Sequence, residues 1–344
     1  MRILKSLYKE TLKHIFFKIN KPFTLIKNYS NFCSEKIILI GKKKYKIYEL
    51  NEGKIFMDSS ESKYFYIYKN FILPHLSIDI SGIKSSSNIF KYGINKFCKS
   101  FNFEIISIVS GRDAKDNYYH WLIDVLPRLI ILEKELKKFT NLNLLVPDFN
   151  NSYQKESLDC LFKKKKPNFI SLNENKFSKF KKITLCSNNE NYEYFNFHLL
   201  SKLKKRILIK ANEKKIFFNN EFQKIYISRS DSRNERSFKR NYEIEEFLVK
   251  KGFKIVVLSE FSFLEKAMIF NKAKVILGLH GAGLANILFS KKKTKIIEIT
   301  SPRWPDMFEK LSKCLMLNYK KVIIKKIDKN NTVNLSISEI KKFI

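Results

Sequence analysis

The sequence predicts an α/β protein, and three observations in its second half lead to that prediction. Short apolar runs alternate with amphipathic helical segments between residues 224 and 300. One apolar run, residues 275–279, leads directly into a glycine-containing turn at 280–283. The first helical segment is followed by Gly252, a common residue at the end of a helix. Repeated strand–helix units of this length are typical of a doubly wound parallel sheet.

The elements of the second half follow one another at short intervals. Strands are predicted at residues 224–229, 254–259, 274–279 and 295–300, with helices at 241–251, near 262–271 and from 284 onward. In such a sheet, right-handed crossovers place ligands at the carboxyl ends of the strands. Ser259, His280 and Thr300 fall at those ends.

The first half is less regular but also mixes strands and helices. Strands are predicted at 37–50, 63–68, 105–110 and 143–146, and helices at 119–136, kinked or broken by Pro127, and at 152–161. Residues 1–100 are predicted to be an irregular N-terminal extension with strands that belongs to the first domain. An N-terminal α/β domain would cover 101–215, a Rossmann-like C-terminal domain 216–318, and a final strand and helix 319–344. Residues 188–220 are the predicted connection.

Composition excludes several classes of protein. The 344 residues are 44% apolar, so the chain is not disordered, and the five cysteines are scattered without a Cys-x-x-Cys pair. That pattern argues against a disulfide framework and a zinc site. No run reaches the roughly 18 to 20 apolar residues that span a bilayer, and residues 1–20 lack the features of a signal peptide. A cytoplasmic protein is therefore predicted.

The net charge of +34 suggests an anionic partner. The lysines are spread along the whole chain, and no zinc-finger spacing or RNA-binding aromatic signature accompanies them. Specific nucleic-acid binding is therefore the weakest hypothesis. A basic surface also favours the negatively charged face of a membrane, and the basic, mildly amphipathic residues 1–20 would support peripheral contact there.

The turn after the third predicted strand suggests a phosphate site. Glycines at 281 and 283 let backbone N–H groups approach a ligand, and a helix N-terminus adds partial positive charge. A diphosphate bound there would contact His280, Gly281, Ala282, Gly283 and Leu284. The alternative is purely structural: the glycines permit a cramped turn and His280 is a hydrogen-bonded interior histidine.

A second unusual stretch, residues 117–128, places polar side chains in an apolar helix. His120 and Asp124 are four residues apart and therefore share one helix face, as does Arg128 a turn later. A carboxylate beside an imidazole orients it and raises its basicity. Asn117 lies near the helix start and is grouped with the donor-binding residues. The alternative is a structural cluster in which the three side chains satisfy one another.

A third group supplies cations after the strand at 224–229. Arginine forks suit phosphate recognition, and Arg229 and Arg236 are the preferred candidates. The same loop carries Arg233 and Arg240, of which Arg240 precedes a predicted helix cap at Asn241. A solvated basic loop is the alternative.

In order along the chain, these motifs resemble glycosyltransferase family 61, which includes bacterial capsular-polysaccharide proteins and eukaryotic N-acetylglucosaminyl- and xylosyltransferases. The resemblance covers about residues 105–300 and departs from the family pattern at Tyr242 and Lys266, where the family usually has Glu and Gln. It rests on Asn-Tyr-Tyr-His-Trp-Leu-Ile-Asp-Val-Leu-Pro-Arg-Leu at 117–129, Tyr-Ile-Ser-Arg at 226–229, Arg236, Asn241, Glu243, Leu264-Glu265, His-Gly-Ala-Gly-Leu-Ala-Asn at 280–286 and Ile-Glu-Ile at 297–299.

The resemblance implies a GT-B fold, two Rossmann-like domains facing across a cleft, and inversion at the anomeric carbon without an essential metal. The donor would be a nucleotide sugar, which is a substrate and not a cofactor. His280 and the glycine turn would hold its diphosphate, Arg229 and Arg236 would balance the charge, and Glu298 would accept hydrogen bonds from ribose hydroxyls.

The base that deprotonates the acceptor hydroxyl is either Asp124 or His120, and the sequence does not rank them. The acceptor would be a glycan or a lipid-linked oligosaccharide of a capsule or another surface polysaccharide. This predicts action in the cytoplasm, at the inner face of the cytoplasmic membrane. The rival hypotheses are a degenerate GT-B protein that binds nucleotide or glycan without turnover and, less favoured, a basic nucleic-acid-binding protein.

Overall fold

The computed structural model describes residues 33–58, 63–68, 71–73, 76–77, 98–110, 116–162, 166–187, 194–218, 220–231, 238–324 and 332–344. The chain forms two compact units: Met1–Phe149 with Lys165–Glu190, and Asn150–Lys164 with Asn191–Ile344. Within the described ranges, no helix combines the length and the apolar character needed to cross a lipid bilayer.

The first unit is built on a mixed nine-stranded sheet in the order β5-β4-β3-β9-β6-β7-β8, with β2 paired to β9 and β1 paired to β2. The four neighbouring strands β9, β6, β7 and β8 are parallel to one another, and the other pairs are antiparallel. The strands are β1 Ser34–Ile40, β2 Lys43–Asn51, β3 Lys54–Asp58, β4 Lys63–Tyr68, β5 Phe71–Ile72, β6 Lys99–Ser107, β7 Asn143–Val146, β8 Asn168–Ser171 and β9 Phe177–Cys186.

This sheet differs from the prediction in two ways. The single strand expected at 37–50 is a hairpin, because Gly41 adopts a φ of 61° and reverses the chain between β1 and β2. Residues 34–72 also contribute five strands with antiparallel partners, so the first sheet is only partly Rossmann-like. The helical segment described next connects two of the parallel strands, β6 and β7.

One helical segment crosses the first unit in four pieces. It consists of α1 Tyr118–His120, a π-helix Trp121–Val125, α2 Leu126–Ile131 and α3 Glu133–Leu136. Pro127 has no N–H to donate, and in a regular α-helix its ring would collide with the carbonyl four residues back. The chain widens here instead: the Leu126 N–H donates to the Trp121 carbonyl, five residues earlier. The predicted irregularity at Pro127 is thus a π-helix immediately before the proline.

The second unit contains a five-stranded parallel sheet in the order β11-β10-β12-β13-β14. Its strands are β10 Lys224–Ile227, β11 Lys254–Val256, β12 Val275–Leu279, β13 Lys295–Thr300 and β14 Asn318–Ile323. The chain moves outward from β10 to β11 and then returns to the other side of β10 with β12. The strand order therefore reverses between β10 and β12, which makes their carboxyl ends the topological switch point where such sheets bind ligands.

The helices of this unit are α4 Ser152–Leu161, α5 Phe197–Glu213, α6 Asn241–Lys250, α7 Phe263–Lys272, α8 Met307–Cys314 and α9 Ile337–Lys341, with 3-10 helices at Asn220–Gln223, Leu258–Glu260 and Ala282–Phe289. The sequence signals act as expected at two of them. Gly252, at a φ of 79°, follows α6, and Ser262 and Glu265 cap each other's backbone at the start of α7.

The third helix was predicted from residue 284 onward, and the structure shows it as a 3-10 helix at Ala282–Phe289. The Leu284 N–H donates to the Gly281 carbonyl three residues earlier, at 3.0 Å. The Asn286 side-chain amide donates to the Gly283 carbonyl at 2.9 Å, which satisfies the acceptor that an α-helical N–H would otherwise take. A side chain thus replaces part of the regular backbone pattern.

The units divide the chain differently from the predicted boundary between residues 215 and 216. Residues 150–164 and 191–215 belong to the second unit because α4 and α5 pack against α7 there. Helix α5 buries Leu199, Leu203 and Ile207 completely on one face. The predicted connection at 188–220 therefore contains a core helix of the second unit.

Candidate functional site

The polar residues predicted in the first unit begin with a helix cap. The Asn117 side-chain oxygen accepts hydrogen bonds from the backbone N–H groups of Tyr119, at 3.0 Å, and His120, at 3.5 Å. Asparagine is among the preferred residues at this position because its side chain satisfies N–H groups that the helix leaves open. The predicted place of Asn117 near the helix start is confirmed, since its side chain holds the first turn of α1. Its predicted role in donor binding stays a prediction.

His120 and Asp124 form the pair that their spacing predicts. The His120 Nδ1 atom lies 2.6 Å from the Asp124 Oδ2 atom across the π-helix. The side chain of Asp124 is 8% exposed and that of His120 is 17% exposed. The imidazole therefore turns Nδ1 toward the carboxylate, and Nε2 is the ring nitrogen on the side away from Asp124. In such a pair, a carboxylate can orient an imidazole that exchanges protons.

Arg128 supports the π-helix from inside the unit. Its side chain is fully buried, its Nε donates to the Asp124 backbone carbonyl at 3.0 Å, and Nη1 donates to the Cys186 carbonyl at 3.3 Å. The guanidinium thus connects the π-helix to the end of β9. The structure links the three residues considered as a structural cluster: Arg128 bonds the backbone of Asp124, and the Asp124 carboxylate pairs with His120.

The residues predicted in the second unit converge on its switch point. Arg229 follows β10 and Gly281 follows β12, the two strands between which the order reverses. The Arg229 guanidinium lies directly against Gly281: a Cβ added to Gly281 would collide with Nη1 and lie 3.0 Å from the guanidinium carbon. An arginine fork therefore borders the start of the 3-10 helix, and a cation and a helix N-terminus together suit a phosphate group.

The turn packs closely against neighbouring side chains. A Cβ on Gly283 would lie 2.5 Å from the Leu258 side chain, so the absence of a side chain lets the turn pack against the segment after β11. Ala282 and Gly283 are partly exposed and can contact a ligand. Leu284 was also predicted at the donor site, but its side chain is 1% exposed and packs in the core, and its N–H is bonded to Gly281.

His280 is held in the second unit by a chain of hydrogen bonds. Its Nδ1 atom lies 2.5 Å from Glu298 Oε1, and the Tyr319 hydroxyl donates to Glu298 Oε2 at 2.5 Å. The ring stacks on Trp304 at a centroid distance of 5.4 Å and meets the edge of Phe308. Burial raises the pKa of Tyr319, and the bond to Glu298 raises it further, so the phenol stays protonated and donates.

Glu298 was predicted to accept hydrogen bonds from ribose hydroxyls, and the structure places its carboxylate in the interior. Its side chain is 2% exposed, and each carboxylate oxygen has its own partner, so it is not available at the surface for ribose hydroxyls. It fixes the ring of His280 with Nδ1 turned inward.

The end of β10 is tied to α6 by a second carboxylate. Glu245 Oε1 accepts from the Ser228 hydroxyl at 2.6 Å and from the Asn241 amide at 2.9 Å. Ser228 immediately precedes Arg229, so this contact fixes the backbone that carries the arginine. Asn241 was predicted as the cap of α6. The structure instead has Arg240 as the residue before the helix, with Asn241 inside its first turn.

Two of the predicted arginines lie outside the described residues, and three residues around His280 were not predicted from the sequence. Arg233 and Arg236 are outside the described residues. Tyr319, Trp304 and Phe308 were not singled out, although they surround the His280–Glu298 pair. An aromatic residue in an ordinary amphipathic strand or helix carries no sequence signal that links it to a histidine elsewhere.

Comparison with known proteins agrees with these motifs. The family model for glycosyltransferase 61 matches residues 118–297, from the first residue of α1 to the middle of β13. That is more than half of the chain, and it includes both the His120–Asp124 pair and the Arg229–Gly281 turn. The chain belongs to glycosyltransferase family 61. A search of curated proteins finds no match.

Proposed function

We propose that this protein is an inverting glycosyltransferase that moves a sugar from a nucleotide-sugar donor to a hydroxyl of a glycan acceptor. Membership of the family supports a sugar donor and a glycan acceptor. The observation that carries the donor proposal is the contact of the Arg229 guanidinium with Gly281 at the switch point of the parallel sheet. A positive fork beside a glycine turn suits a nucleoside diphosphate.

The proposed donor site uses the turn as a diphosphate cradle. The N-terminal end of the 3-10 helix supplies backbone N–H groups, and Arg229 supplies positive charge for the oxygens that become the leaving group. His280 presents Nε2 because its Nδ1 faces Glu298. These groups are preorganised by Glu298, Tyr319 and Glu245, so little side-chain freedom is lost when the diphosphate binds.

The proposed base is His120, with Asp124 as its positioning residue. Asp124 is the more deeply buried of the pair and is fixed by the π-helix, whereas His120 retains exposure and a nitrogen opposite the carboxylate. An Asp-oriented imidazole is a common arrangement for general-base catalysis at neutral pH. This ranks two candidates that the sequence left equal.

The proposed reaction is a single displacement. The acceptor hydroxyl gives its proton to Nε2 of His120, and its oxygen forms a bond to the anomeric carbon. The bond between that carbon and the diphosphate oxygen breaks on the opposite face, and the nucleoside diphosphate leaves with both bonding electrons. Arg229 and the helix N-terminus stabilise the charge that develops on it, so the proposal includes no essential metal.

The broader setting is part of the proposal. A GT-B arrangement, with the acceptor half facing the donor half across a cleft, would bring the base to the anomeric carbon. Each of the two units contains one of the two polar clusters. A lipid-linked oligosaccharide of a capsule or another surface polysaccharide fits the family resemblance. The net charge of +34 supports action in the cytoplasm at an anionic membrane face.

The test is a thermal-shift screen against UDP-, GDP-, CMP- and dTDP-sugars, with and without EDTA. A ligand that binds the folded protein raises its melting temperature by mass action. The proposal predicts a shift with one class of nucleotide that survives EDTA and disappears in His280→Ala. A shift that EDTA abolishes would contradict the metal-independent part, and a shift that survives in His280→Ala would contradict the assigned donor site.

A further inference from the structure

The second unit contains a cavity of about 330 Å³ that the donor proposal does not use. The 3-10 helix starts at the carboxyl end of β12 and finishes at Phe289, before β13 begins at Lys295. Ser290 and Lys292, which line the cavity, therefore lie at the amino edge of the sheet. The Gly281 turn lies at the carboxyl edge. The two sites are thus at opposite edges of one sheet.

One face of α5 forms a wall of this cavity. Phe197, Ser201, Lys204 and Leu208 line it, with the spacing of three and four residues that places side chains on a common helix face. The opposite face of α5 is buried in the core of the unit. The second wall comes from the segment after the 3-10 helix and from Leu315 at the end of α8. The apolar side chains in this lining, Phe197, Leu208 and Leu315, form what we call the apolar floor of the cavity.

Its charged groups are all positive. Lys204, Lys205 and Lys292 line it, and its described lining includes no aspartate or glutamate. Lys204 is the most enclosed: burial, together with repulsion from Lys291, lowers the pKa of its ammonium to about 8, and Nζ donates to the Ser290 carbonyl. Holding a desolvated ammonium without a carboxylate costs stability, and an anion would offset that cost.

A buried hydroxyl in the same wall also lacks a partner. Ser290 is 3% exposed, and its Oγ atom has no hydrogen-bond partner within the described part of the chain. A buried hydroxyl without a partner costs free energy comparable to a lost hydrogen bond. A phosphate oxygen accepts from both a hydroxyl and an ammonium. Ser290 and Lys204 could therefore bind the same group.

We propose that this cavity binds a phosphate monoester attached to an apolar chain. The lysines and the Ser290 hydroxyl bind the phosphate, and Phe197, Leu208 and Leu315 contact the chain. Inorganic phosphate alone would leave the apolar floor uncovered, and an uncharged amphiphile would leave the lysines without a counter-charge. The proposal does not depend on the donor chemistry, because the site lies at the other edge of the sheet.

The test is isothermal titration calorimetry of the full chain with three probes kept below their micelle concentrations. These are decyl phosphate, inorganic phosphate and the uncharged hexaethylene glycol monodecyl ether. We expect decyl phosphate to bind at least tenfold more tightly than either of the others. Inorganic phosphate binding as tightly would overturn the apolar part of the proposal, and the uncharged ether binding as tightly would overturn the anionic part.

Two substitutions locate the binding. Lys204→Met keeps the length of the side chain and removes a desolvated charge, so the fold should be retained. Lys210→Gln is the matched control, because Lys210 lies on the same helix, outside the lining, and pairs with Glu213. We expect Lys204→Met to weaken decyl phosphate at least tenfold and Lys210→Gln to change it less than twofold. Equal effects of the two variants, or no binding by the wild type, would overturn the proposal.

Discussion

Replacing Glu298 with glutamine removes the charge behind His280 and keeps the shape of the side chain. Glu298 is 2% exposed, so water cannot replace the lost charge. The glutamine carbonyl can still accept from the imidazole, and its amide can donate to the Tyr319 hydroxyl. The perturbation is therefore the loss of an ionised acceptor 2.5 Å from Nδ1, with the hydrogen-bond geometry retained.

The expected magnitude follows from the strength of that contact. Hydrogen bonds to charged groups contribute about 1.5–3 kcal/mol and neutral ones about 0.5–1.5 kcal/mol, so the change is about 1 kcal/mol. This loss reaches the donor only through the imidazole. The Kd of the nucleoside diphosphate should rise about fivefold. Removing the ring altogether in His280→Ala should have a larger effect.

The assay is calorimetric titration with the nucleotide that shifts the melting temperature of the wild type. The matched control is Glu309→Gln, which removes the same charge from a partly exposed residue of the same unit that pairs with Lys313 and Lys321. We expect the control to have the wild-type Kd. A wild-type Kd in Glu298→Gln, combined with weak binding in His280→Ala, would refute the claim that the carboxylate acts through the histidine.

Three further predictions use other contacts. Gly281→Ala pushes the Arg229 guanidinium aside, so nucleotide affinity should fall at least tenfold while the melting temperature without ligand changes little; wild-type affinity would refute this packing. Asn117→Ala removes the cap of α1 and should lower the free energy of unfolding by about 1 kcal/mol in urea, with Asn117→Asp close to wild type; equal loss in both would exclude a capping role. Lys204, with a pKa of about 8, has about half of its amine neutral at pH 8, against under about 1% for a lysine of ordinary pKa. With limiting acetic anhydride at that pH, Lys204 should therefore be acetylated before the exposed lysines, as measured by peptide mass spectrometry. Acetylation of Lys204 at the same rate as the exposed lysines would contradict the lowered pKa.

The local elements were predictable because their signals lie within a few residues. Helix α4 and strand β7 have the predicted bounds, and Gly252 and Ser262 mark the ends of helices as expected. The His120–Asp124 contact was also readable, since four residues on one helix bring two side chains together. In each case the interaction that decides the structure is short in sequence.

The features that were missed depend on distant parts of the chain. Glu298 meets His280 because β12 and β13 are adjacent and pair Gly278 with Glu298, a register that the sequence does not encode locally. Helix α5 joins the second unit because its apolar face packs against α7. The alternation of charged and apolar residues there predicts a helix and does not indicate which unit covers it.

The proposal that His120 is the base of a glycosyltransferase is tested most directly by a rate measurement. The quantity measured is the rate at which the protein releases nucleoside diphosphate from its nucleotide sugar, with water or added glycan as acceptor. Wild type and His120→Ala would be compared, with the Kd of the nucleotide measured for each. We expect at least a hundredfold slower release in His120→Ala at an unchanged Kd, because the proposed base belongs to the other unit from the diphosphate cradle. Equal release rates for the two proteins would contradict it.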